Sequence, residues 1–229
     1  MHPGLTARTT AFGLAALVIA SALGYWGVSA YRKGQLQKAV TALVKDSSER
    51  LQASLAVETE AVHEDAARMV GKLDDQAQEV DKHVIELRGI SASPNRALVD
   101  AAEEYMLTVR QILRNQAASH RYRIQVSASE QALREHMRTA NRRSGRWIQE
   151  ALRAKDRMEK EYFDYRLSVD AFGRLLESYP ATRMKLALQV GADLLADEAA
   201  AAAARRRALD SARRLADEVE RARQLAAVR

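Results

Sequence analysis

Between Arg8 and Arg32 the chain carries no charged residue, and no other stretch restricts its fold as much. Phe12, Leu17, Ile19 and Leu23 supply apolar bulk, and Trp26 and Tyr31 stand at the far end. Roughly 20 apolar residues at ~1.5 Å each cross a hydrocarbon core of ~30 Å, and amphipathic aromatic rings settle at the headgroup level. Residues 9–31 therefore read as a single transmembrane anchor behind a short tail, 1–8. Val28-Ser29-Ala30 also offers small residues for signal cleavage after Ala30. The bulky Tyr25-Trp26 pair, where a cleavage region should be slim, favours the uncleaved anchor. Arg8 on one side and Arg32, Lys33 and Lys38 on the other leave the orientation open. The layout of a short tail ahead of an exported domain tips the reading toward an inner-membrane protein with a periplasmic soluble part.

Beyond Arg32 the composition is that of long helices. Aromatics are 5% of all 229 residues, and beyond Arg32 the strong interrupters of the Ala-, Glu-, Arg- and Leu-rich sequence are 2 Pro and 6 Gly. Such residues lose little side-chain freedom in a helix. The expected fold is all-α: the anchor followed by an elongated antiparallel helical bundle or coiled coil. The absence of Cys excludes disulfides, thiolate nucleophiles and thiol-bound zinc. The 36 basic and 30 acidic residues leave a charge of +6. The basic residues form no stripe interleaved with aromatics, which argues against nucleic acid as a partner.

The strongest periodic signal lies in 32–90, which reads as one long stalk helix. Val40, Leu51, Val62, Leu73 and Val84 recur by the same step, with Val44, Leu55, Ala66 and Ala77 as a second row. The step of about eleven residues makes almost three whole turns, so each row stays on one face of a nearly straight helix. These rows are the expected helix interface, for a protein partner or for a second copy of the chain. Gly89 to Asn95 is a break, with Ser93 as a cap and Pro94 in a first-turn position. A second helix is expected over 94–143, a third over 147–179 and a C-terminal Ala/Arg-rich helix over 181–229. Tyr179-Pro180 should end the third, because the residue before proline is pushed out of helical geometry. If the stalk leaves the membrane and the second helix returns, Arg142, Arg143, Arg146 and Trp147 come back toward an anionic headgroup surface.

No catalytic constellation is present, and no cofactor is expected. His63-Glu64 begins like a zinc-protease motif, but residue 67 is Ala67. Glu60 and His63 have the spacing used in di-iron bundles, in a single copy. Adjacent carboxylates, Asp74-Asp75 and Glu103-Glu104, point ~100° apart on a helix and cannot share a proton. Tyr105, Arg110 and Arg114 with Tyr162, Tyr165 and Arg166 could line a small-ligand pocket between the second and third helices.

Phe163-Asp164-Tyr165-Arg166-Leu167-Ser168 is similar to the Phe-Asp-Tyr-x-Leu-Ser signature of membrane-anchored lipase-specific foldases. Lys160 stands where that family has arginine and Val169 where it has alanine. The resemblance covers six residues and implies a membrane-anchored steric chaperone. In layout the chain also resembles anchored four-helix sensor domains, without their second membrane span. The reading that takes in most of the sequence is a membrane-anchored, non-enzymatic scaffold that docks a helical protein or itself. An extracytoplasmic sensor bundle is the alternative.

Overall fold

The structure, a computed structural model, describes residues 31, 33–56, 63–90, 95–138 and 144–227. Among these residues the chain is an all-α bundle without strands. Its helices are α1 (33–55), α2 (His63–Gly89), α3 (Arg96–Arg138), α4 (Gly145–Val190) and α5 (Glu198–Ala227), with a 3₁₀ turn over Ala192–Leu194. Phe12, Leu17, Ile19, Leu23 and Trp26 of the expected anchor lie outside the described residues, while Tyr31 is exposed. Among the described residues, no helix is long and apolar enough to cross a membrane.

The expected stalk helix over 32–90 is broken after Leu55, and the polar groups of the bundle explain why. The last carbonyls of a helix need partners. Here Gln116 Nε2 of α3 donates to Ser54 O at 3.0 Å, and the Arg207 guanidinium of α5 donates to Leu55 O. A cation at a helix C-terminus also opposes the negative end of the helix dipole. Ala56 turns the chain out, and α2 runs back along α1, stitched by Ser47 Oγ to His83 Nδ1 at 3.1 Å and Asp46 to His83 Nε2 at 3.3 Å. The rows of Val40, Val44, Leu51 and Leu55 and of Leu73, Ala77 and Val84 are thereby buried inside the chain's own core. Val62 lies outside the described residues.

α3 pairs with α2 through Arg88–Glu103, Arg110–Asp81, Arg114–Asp81 and Arg121–Asp74, a ladder that fixes them antiparallel. Its start is capped by Asn95, whose Oδ1 accepts from Leu98 N at 3.4 Å. α1 and α3 are parallel, since Ser48 meets Tyr105 and Ser54 meets Gln116. The 43 residues of α3 rise about 65 Å, so Arg146 and Trp147 sit at the end of the bundle remote from Lys33. The expected return of that turn to the level of Tyr31 is therefore corrected: the stalk folds back before α3 begins, which makes α3 the second upward helix.

α4 starts where the Ser-Gly signal placed a turn. Ser144 is its cap, extended at φ −78° and ψ 137°, and accepts from Trp147 N at 3.1 Å. Contrary to expectation, α4 passes through Pro180 and ends at Val190. A proline inside a helix forfeits one backbone hydrogen bond and costs about 3 kcal/mol. Burial of Thr182 and Leu186 in the following turns, and the bonds of Tyr179 and Arg183 described below, offset that cost. The helix stops instead at Gly191, whose φ of 95° is a geometry that favours glycine. α5 accordingly begins at Glu198, not near Ala181, with Asp197 Oδ1 accepting from Ala199 N at 3.0 Å.

Candidate functional site

Where α1 ends and α5 begins, a polar chain crosses the core. Tyr179 Oη donates to Ala196 O at 2.8 Å, which uses its one proton. Tyr105 Oη, 3.2 Å away, is then the donor to Tyr179 and accepts from Ser48 Oγ at 3.0 Å and Ala196 N at 3.4 Å. Arg183 adds Nε to Ala196 O at 3.0 Å, Nη1 to Glu198 at 3.1 Å and Nη2 to Ala192 O at 3.1 Å. Burial, then the neighbouring Tyr105, pushes the Tyr179 hydroxyl far above its ordinary range, so it stays protonated. Every group here is spent on holding residues 195–197 against α1, α3 and α4.

A solvent-open cleft of about 310 Å³ lies next to it, lined by Lys45, Glu49, Gln52, Asp193 and Asp197 among others. The small-ligand pocket expected elsewhere is not assembled. Arg110 and Arg114 turn to Asp81 of α2, Tyr105 belongs to the polar chain, and Tyr165 is buried with its hydroxyl pushed up by burial. Arg166 is exposed on the outer side of α4. The adjacent carboxylates also part company: Glu103 pairs with Arg88, Glu104 with Lys185 and Asp74 with Arg121. Among the described residues no cluster of His, Asp and Glu could hold a metal ion. The side chain of His63 lies outside the described residues, as does Glu60.

Arg146 pairs with Glu150, and Arg142 and Arg143 fall outside the described residues. Trp147 stacks on His136 with ring centroids 5.0 Å apart and donates Nε1 to His136 O at 3.2 Å, while His136 Nε2 lies 2.9 Å from Trp147 O. The tryptophan locks the α3–α4 hairpin.

The outer face of α4 is where the structure departs most from the sequence reading. Met158, Tyr165, Val169, Phe172 and Leu176 form its buried side. Ile148, Leu152, Phe163, Leu167, Met184 and Leu188 are between 48% and 82% exposed. Helical phase places these six in a sector of roughly 100°, about half a turn from the buried side. The signal was present in the phases: the apolar residues of this helix form two sets, and one bundle can bury only one of them.

No family model, curated protein or solved structure matches the chain. Within the six residues similar to the lipase-specific foldase signature, Tyr165 and Ser168 face the core and Phe163 and Leu167 face outward.

Proposed function

We propose that this chain is a membrane-anchored, non-enzymatic helical scaffold that docks a partner helix on the outer face of α4. The observation that carries the reading is the set of six exposed apolar side chains on one sector of that helix. Large apolar side chains grouped on a surface favour an interaction site over a bare solvated face. The charge-free stretch of 9–31 supports the anchor, and the inner membrane with a periplasmic bundle is the location we assign. The rows of Val40, Leu51, Leu73 and Val84 are occupied within the chain, so docking on them is replaced by docking on α4. A ligand-sensing bundle receives less support, because the arginines and tyrosines that would line its pocket face different ways.

The test uses the full chain in its native membrane. A C-terminal reporter active only outside the cytoplasm should give signal, alkaline extraction should leave the chain with the membrane, and amine crosslinking should yield larger species. Recovery of the chain in the soluble fraction sinks the anchor, and a monomer at every crosslinker concentration sinks the scaffold.

A further inference from the structure

The six exposed residues of α4 are not scattered along it. Ile148 and Leu188 are equidistant from Ser168, and so are Leu152 and Met184. Ile148 and Met184 are separated by about ten turns, ~54 Å, and so are Leu152 and Leu188, so each pair recurs at the same helical phase. Phe163 and Leu167 lie near the midpoint. Arg166 and Asp170, both exposed on the same sector, flank Ser168 at equal distance and are opposite in charge. A face with this symmetry is complementary to itself when turned end for end.

Resting on the scaffold reading above, we infer that the occupant of this face is a second copy of the chain. The two α4 helices pack antiparallel by their outer faces, about a two-fold axis level with Ser168 along the helix. In that register Ile148 meets Leu188 of the partner subunit, Leu152 meets the partner's Met184, and Arg166 meets the partner's Asp170. Such a contact is isologous, the same patch serving on both sides, as in most closed homodimers. A parallel pairing would also match the apolar residues but would set Arg166 on Arg166, Asp170 on Asp170 and Arg174 on Arg174. Like charges in juxtaposition select against that arrangement. The antiparallel register also opposes two like charges, Glu159 and Glu177. Each is neutralised at home, Glu159 by Arg223 at 2.9 Å and Glu177 by Arg205 at 2.7 Å. The axis runs across the helices, so the two Lys33 ends point away from each other. Two copies tethered in one bilayer then lie along its surface.

Cysteine crosslinking of the full chain in its membrane tests the register, since the natural sequence has no Cys. Ile148→Cys and Leu188→Cys, each made alone and combined, are oxidised and run without reductant. The combined variant should form a disulfide-linked dimer and the single variants should not; the two positions are ~60 Å apart within one chain and cannot join intramolecularly. A second series reads the charges. Arg166→Asp should weaken the dimer about tenfold, and adding Asp170→Arg should restore it to within about twofold. Dimers from either single cysteine would mean a parallel pairing and overturn the inference. Assembly of the unaltered chain with no disulfide in the combined variant overturns it too, while leaving the scaffold reading in place with a different partner helix. A chain that is monomeric throughout overturns both.

Discussion

α1 and α5 succeed one another along the same bundle, yet they are held by different means. α1 buries Leu36, Val40, Leu43, Val44, Leu51 and Leu55, bulky side chains that fill volume. Among the described side chains, α5 buries Ala201, Ala204, Ala208 and Ala222, with Leu215 and Val219 as its larger apolar contributions. A fully buried Val or Leu stabilises by about 1.5–3 kcal/mol, and an alanine by much less. What small residues allow is close approach. α5 uses it to bring Arg183–Glu198, Arg205–Glu177 and Arg223–Glu159 pairs together across its seam with α4. One helix is fixed by what fills the space and the other by how little does.

The largest expected effect follows from that difference. Leu51→Ala, at a position with no exposure, should lower unfolding stability by about 2–5 kcal/mol, the range for a buried leucine truncated in a close-packed interior. Chemical denaturation of the purified chain would measure it. A loss below about 1 kcal/mol would mean that α1 is not the volume-filling element argued here.

Next comes the stretch where α5 has taken over from α1. His120 stands one turn beyond Gln116, which caps α1, and is buried. Burial, with Arg123 adding repulsion, brings its ionisation down from 6.5 to about 4. As the pH falls below 6.5 the unfolded chain takes up a proton that the folded chain refuses until about pH 4. Stability is therefore complete above that window and is lost through it, by on the order of 3 kcal/mol for a shift of this size. Denaturation midpoints across the window should show the slope in the natural chain, and His120→Gln should flatten it. An equal slope in both would put acid sensitivity elsewhere.

The proximity of α5 has its own test. Ala201→Leu enlarges a nearly unexposed site in the seam and should cost about 1–3 kcal/mol, as overpacking does. The same enlargement at Ala199, which is exposed, should change little. Equal effects at the two positions would mean that α5 does not depend on close approach.

The existence of the helices was legible because the composition offers little else, and the Ser144-Gly145 turn and the Gly89–Asn95 break were local signals. Three features were not local. The end of α1 depends on Gln116 and Arg207, more than sixty and one hundred and fifty residues away, respectively, in the chain. The passage of α4 through Pro180 depends on Tyr179 and Arg183 reaching the α4–α5 connection. The direction of α3 follows from the first of these. Once α1 stops early, the chain has turned back before α3 begins, and Trp147 moves to the other end of the molecule. The outer face of α4 was hidden differently: Ile148 and Leu152 carry the same residue types as the core, and only their phase against Phe172 and Leu176 tells the sets apart.

The smallest expected effect separates proximity from the charges that proximity brings together. Arg223 and Glu159 are 2.9 Å apart with about a third of each side chain exposed. A pair so placed is screened by water and salt and contributes about 0–1 kcal/mol. Arg223→Ala should therefore lower stability by less than Ala201→Leu does, and the remaining difference should vanish in high salt, where the Debye length falls to about 3 Å. If Arg223→Ala instead costs as much as the overpacking variant and keeps that cost in high salt, the stem of the arginine is packing against α4. α5 would then be held by volume after all, and the contrast with α1 would be one of degree.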